Sequence, residues 1–170
     1  MCLNVSLATT KEFLKEHGGQ KTIKVYKVLY LNRDSTNINN GELYLGSPFM
    51  TYIWKAGLNK SDCGFIRKWW YKFRLLESKL LCGEETFLYR SAFDINKSFH
   101  VFLNKPDLLQ RGHFNFSNKY AIVVEFEAKL RDFIAAQSFY NGECGIELAF
   151  TRLTLPQSEY DRAFNEGIPL

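Results

Sequence analysis

The sequence predicts an α+β fold: one domain with a mixed or largely antiparallel sheet of about five to seven strands and a few helices packed on it. Three observations predict it. Two-residue alternation of apolar and polar side chains recurs along much of the chain, whereas helical spacing is confined to a few segments. The predicted elements run helix, strands, helix, then strands separated by short helices, which is not the regular strand–helix alternation of a doubly wound sheet. The length, 170 residues, suffices for one core and is short for two.

The elements follow in order. Thr9 or Thr10 is placed to cap a short helix over residues 11–17, stopped by Gly18 and Gly19. Residues 21–31, KTIKVYKVLYL, alternate as a strand. Ile23, Val25, Leu29 and Leu31 share one face, interrupted by Lys27, and Tyr26, Val28 and Tyr30 share the other. Two largely apolar faces predict a central strand. Residues 32–41 form a polar loop, and 42–45 and 49–54 are short strands split by the Gly46-Ser47-Pro48 turn. Residues 55–63 read as a loop.

Residues 64–81, GFIRKWWYKFRLLESKLL, have the spacing of an amphipathic helix. Ile66, Trp69, Trp70, Phe73, Leu76 and Leu80 recur at three- and four-residue steps, with Arg67, Lys68, Lys72, Arg74 and Lys79 mostly between them. Further strands are expected at 87–89, 98–103, 120–127 and, as one long strand, 145–155. Pro106 opens a helical turn that Gly112 ends, and 129–136 is a short helix or turn. Tyr160, Phe164 and Ile168 at four-residue steps make the segment 156–170 a docked helix.

Composition narrows the function classes. Apolar residues make up 46% and charged residues 24%, which is globular. The aromatic share, 16%, feeds either a Phe-rich core or a surface that buries rings against a partner. The net charge of +4 falls short of a dedicated nucleic-acid domain, and only the 64–81 segment clusters its basic residues. Cys2, Cys63, Cys82 and Cys144 have no C-x-x-C spacing, so neither a structural zinc site nor any other metal or cofactor is expected. Residues 1–8 do not read as a secretory signal, and no apolar run is long enough to span a membrane. The expected setting is therefore intracellular and reducing, with free thiols and no membrane partner.

Four constellations are candidates for chemistry. Cys2 becomes an N-terminal nucleophile if Met1 is removed; otherwise it is a small buried thiol. His100, inside the strand SFHVFL, is placed to act as a general base beside a sheet groove or to bond across the sheet; His113 lies in a loop. A pairing of Cys144 with His100 has no supporting spacing. Arg90, Ser91 and Glu147 stand in an order that resembles ADP-ribosyltransferases, where an Arg holds dinucleotide phosphates and a late Glu supports the oxocarbenium-like centre. The bland alternative for Glu125, Glu127 and Glu147 is alternating charge on a solvated sheet face. The 64–81 segment offers Arg67, Lys68, Trp69, Trp70, Lys72 and Arg74 as a binding face for a protein or, weakly, a nucleic acid.

The phrases FHVFLNKPDLL, YAIVVEFEAKLRDFIAAQ and GIELAFTRLTLP, with MCLNV, TIKVYKVL and WKAGLNKSD, resemble a loose group of short uncharacterised proteins encoded by phages, large DNA viruses and some bacteria. The resemblance implies a viral or mobile-element origin and carries no activity. The expected function is a non-enzymatic interaction or structural protein, such as a virion component or host-factor binder acting in the host cytoplasm or virion. The alternatives are a small enzyme with a pocket at the sheet and a weak nucleic-acid binder.

Overall fold

The computed structural model describes residues 7–33, 42–47, 50–62, 97–106, 120–138 and 145–169. Among them are two helices, α1 (Leu7–His17) and α2 (Gln157–Glu166). The strands are β1 (Thr22–Arg33), β2 (Leu43–Ser47), β3 (Met50–Trp54), β4 (Gly57–Lys60), β5 (Phe99–Phe102), β6 (Ala121–Lys129), β7 (Phe133–Ser138), β8 (Ile146–Phe150) and β9 (Arg152–Leu155). All nine belong to one sheet, and every strand pair is antiparallel. The α+β class holds, with more strands than the five to seven expected.

β1 is central, as its two apolar faces predict. On one side it pairs with β6 without a break, from Thr22 opposite Lys129 to Tyr30 opposite Ala121. Its other side is shared. Tyr26 pairs with Phe102 of β5, and Tyr30 to Arg33 pair with β2. The sheet therefore forks at β1. One branch runs β1–β5–β8–β7. The other runs β1–β2–β3, and β3 leads through a two-residue corner into β4, which pairs with β9 on the far side of β6. The connections β1–β2–β3–β4–β9–β6–β1 thus close a ring around the larger core.

Trp54 stands inside that ring, fully buried, with its ring 4.6 Å from Phe99 and 4.8 Å from Phe126. Burial of such a ring stabilises the fold by about 1.5–3 kcal/mol for its apolar area alone. Phe13 of α1, with Leu148 and Phe150 of β8, extends the same core beneath the other branch. A smaller cluster, Val28, Tyr30, Phe102 and Val123, occupies the opposite face of β1, β5 and β6.

Side chains take over where the strand ladders stop. At the β3–β4 corner the buried Asn59 amide accepts from Lys55 N–H (3.1 Å) and donates to the Lys55 carbonyl (2.8 Å), doing for Lys55 what a strand partner would. Gly57, at φ +89°, allows the reversal, a conformation costing other residues about 1–2 kcal/mol. On β7, the Thr10 hydroxyl accepts from Ala136 N–H (3.0 Å) and donates to its carbonyl (3.3 Å), so α1 covers that edge. β6 meets β9 only at Glu127 opposite Thr154. Beyond that point α2 supplies the partners: Glu159 accepts from Glu125 N–H at 3.0 Å and Arg162 donates to the Val123 carbonyl at 2.7 Å.

Several expectations are corrected. α1 begins at Leu7, so Thr9 and Thr10 lie within the helix rather than capping it. The expected loop after Trp54 contains β4. The segment 129–136 is a single 3-10 turn, Leu130–Asp132, followed by β7. The long strand expected over 145–155 is two strands that serve different branches. The break is at Thr151, whose N–H donates to the Asp132 carbonyl and whose carbonyl accepts from Ser61 N–H, each at 2.9 Å. The docked helix is present as α2, with Tyr160 and Phe164 packed on the core, but it ends at Glu166 and leaves Ile168 outside it and exposed.

Candidate functional site

The sequence marked Lys27 as an interruption in an apolar face and singled out His100 and Glu147. The fold places all three at the β1–β5–β8 seam, Lys27 on one face and the His100 and Glu147 side chains on the other. Lys27 lies in the inward row of β1 between Val25 and Leu29 and is buried. Its ammonium donates to the His100 carbonyl at 2.7 Å and sits 5.8 Å from the Trp54 ring centroid. β1 and β5 share a single register pair, and the Lys27 side chain bridges the seam beside it. Burial lowers the Lys27 pKa from 10.5 to about 8, opposed by the Glu147 charge.

Glu147 stands on the opposite face of the sheet, opposite Phe102 on β5 and Gln137 on β7. The Gln137 amide donates to one carboxylate oxygen. The other lies 3.9 Å from His100 Nδ1, an ion pair only when the imidazole is protonated. Burial pushes the Glu147 carboxyl up, and Gln137 and Lys27 pull it back. The arrangement sets a carboxyl beside an imidazole on one face, while the Lys27 ammonium meets the backbone carbonyl of His100 from the other. It is also closed: the Glu147 and His100 side chains are 5% and 14% exposed. Glu147 is therefore not on a solvated face, which corrects that expectation. Glu127 is exposed as expected, and Glu125 is half-buried with its carboxylate 2.8 Å from Lys24 Nζ.

A second feature was not legible in the sequence. Inward Trp54 and Asn59 fix the outward direction of their neighbours, so Ile53 and Lys55 project outward from β3 and its end, and Leu58 and Lys60 from β4. Ile53 and Leu58 are 42% and 56% exposed, two of the four large apolar side chains exposed among the described residues, with Leu14 and Ile168. On β9, Arg152 lies directly opposite Lys60 and both are exposed. The alternation of Leu58 and Lys60 with Asn59 is the only sequence signal, and it sits in a segment too polar to read as a strand.

Cys2, the segment carrying Arg67, Lys68, Trp69, Trp70, Lys72 and Arg74, and Arg90, Ser91, His113 and Cys144 lie outside the described residues. Among the described residues no three His, Cys, Asp or Glu side chains group to hold a metal, and no helix is long and apolar enough to cross a membrane. No protein-family model matches the chain, nor does any curated protein or any solved structure.

Proposed function

We propose that this chain is a non-enzymatic interaction protein that binds a protein partner through the outward face of the β3–β4 corner. The observation that carries this reading is the exposure of Ile53 and Leu58, which project outward from the two arms of the corner. Exposed aliphatic side chains cost free energy that a partner surface recovers on binding. The ionisable cluster, by contrast, is turned inward, where Lys27, Gln137 and Glu147 join strands. The resemblance of the strand phrases to virus-encoded proteins supports a viral setting, with a host or virion protein as partner.

The test is to capture the partner with tagged protein in extract of the native source, purify it, and measure the affinity of the pair. Replacing Ile53 and Leu58 together by Asp raises Kd at least about tenfold. A purified partner that binds the double variant equally well refutes this docking face. No specific partner in the native extract refutes the interaction role itself.

A catalytic role for His100 and Glu147 is the weaker reading, since substrate would have to reach two nearly closed side chains. It is tested by His100→Ala against any activity found in purified protein. Intact mass decides whether Met1 is removed to free Cys2.

A further inference from the structure

Lys60 and Arg152 occupy directly opposed positions on β4 and β9 and share one exposed face. Like charges in that relation destabilise a sheet. Among the described residues Asp132 partly relieves them, its Oδ1 lying 4.0 Å from Arg152 Nε, at the limit of an ion pair. Lys55 adds a third exposed cation in the outward row of Ile53. Leu58 sits two residues before Lys60 on that same outward row of β4. The outward side of the corner therefore presents an aliphatic side chain on each arm with a cation two residues beyond it, and on the β4–β9 arm a repelling basic pair.

The geometry points to an acidic–apolar polypeptide segment as the occupant of this face, with its aliphatic side chains on Ile53 and Leu58 and its carboxylates on Lys55, Lys60 and Arg152. The inference rests on the interaction reading above and adds the chemistry of the partner. A carboxylate between Lys60 and Arg152 replaces their repulsion by an attraction to each. Charge alone would suit a phosphate backbone equally. The apolar half decides against it: single-stranded nucleic acid binds by stacking its bases on aromatic rings, whereas Ile53 and Leu58 offer aliphatic area to another side chain.

The test pans a displayed library of short random peptides over the immobilised full chain, then measures enriched peptides by fluorescence anisotropy. The expected peptides combine Asp or Glu with aliphatic residues, and raising salt weakens them. Lys60→Glu raises Kd by about tenfold, and Arg152→Gln raises it by a smaller factor. Both sites are exposed, and circular dichroism verifies that each variant is folded. Peptides that lose affinity with Leu58→Asp but not with Lys60→Glu overturn the acidic chemistry and leave the docking face standing. Binders indifferent to Leu58→Asp, or no enrichment at all, overturn the inference together with the docking face it rests on. A homopolymeric oligonucleotide that binds more tightly than the peptides, and loses affinity with Lys60→Glu alone, assigns the face to nucleic acid instead.

Discussion

Replacing Lys27 by Met tests the energetics of the seam directly. In the folded chain the Lys27 pKa is lowered from 10.5 to about 8 by burial, while the unfolded chain restores the ordinary value. Between these two values the unfolded state holds the extra proton, so stability rises with pH across the window. The span corresponds to about 3 kcal/mol at about 1.36 kcal/mol per pKa unit. Below about pH 8 both states are protonated, and the cost of burying the charge is fully present. Met fills similar volume without charge, so the variant lacks this slope. It also leaves the His100 carbonyl without its 2.7 Å donor, a pH-independent cost of about 1–3 kcal/mol. The assay is urea unfolding of both proteins from neutral pH to above 10. Tyrosines, thiols and other lysines titrate in both, so the difference isolates Lys27. The wild type gains about 3 kcal/mol relative to Lys27→Met between pH 8 and 10.5. A difference that stays flat across that range refutes the buried-ammonium account.

Glu147 gives the complementary slope. Its folded pKa is raised above 4.5, so the stability it contributes is present below that value and lost as pH rises through the folded pKa. Glu147→Gln, which keeps an acceptor for Gln137, should gain relative to wild type as pH rises to neutral, read by urea unfolding. Asn59→Ala strips both backbone groups of Lys55 of their partner and should cost about 2–4 kcal/mol by the same measurement. Thr10→Val, of similar shape, removes the hydroxyl from Ala136 at the β7 edge; a cost of about 1–3 kcal/mol is expected, with faster hydrogen exchange at the Ala136 amide. Gly57→Ala forces a side chain into φ +89° and should lower thermal stability by about 1–2 kcal/mol although nothing blocks the added methyl.

The strands with strong periodicity were legible. The central place of β1 follows from its two apolar faces, and β5 and β6 follow from their alternation. What sequence reasoning missed has a common physical cause. β4 reads as a polar loop because its inward position holds Asn59, chosen for hydrogen bonding and not for apolarity. The break between β8 and β9 leaves no mark in GIELAFTRLTL, because Thr151 suits a strand and is turned by contacts with Asp132 and Ser61, both distant in sequence. Lys27 was visible as an interruption, but its role depends on a carbonyl 73 residues away. His100 and Glu147 were each singled out, and only the register of β5 with β8 shows that they are diagonal neighbours. The basic outward face needs the β4–β9 register before Lys60 and Arg152 can be seen as opposed.

The ring also dictates an order of assembly. β1 to β4 emerge early during synthesis, yet Leu58, Asn59 and Lys60 find their partners only at Thr154, Leu153 and Arg152. Until those residues leave the ribosome, Trp54 has no completed enclosure, and the unpaired edges of β4 and β6 are open to other chains. A nascent chain halted before Arg152 should therefore be protease-sensitive and prone to aggregate, whereas release of the full chain, with β9 and α2 in place, should confer resistance. The last strand of the sheet acts as the keystone, and the cell must shield the unfinished ring until it arrives.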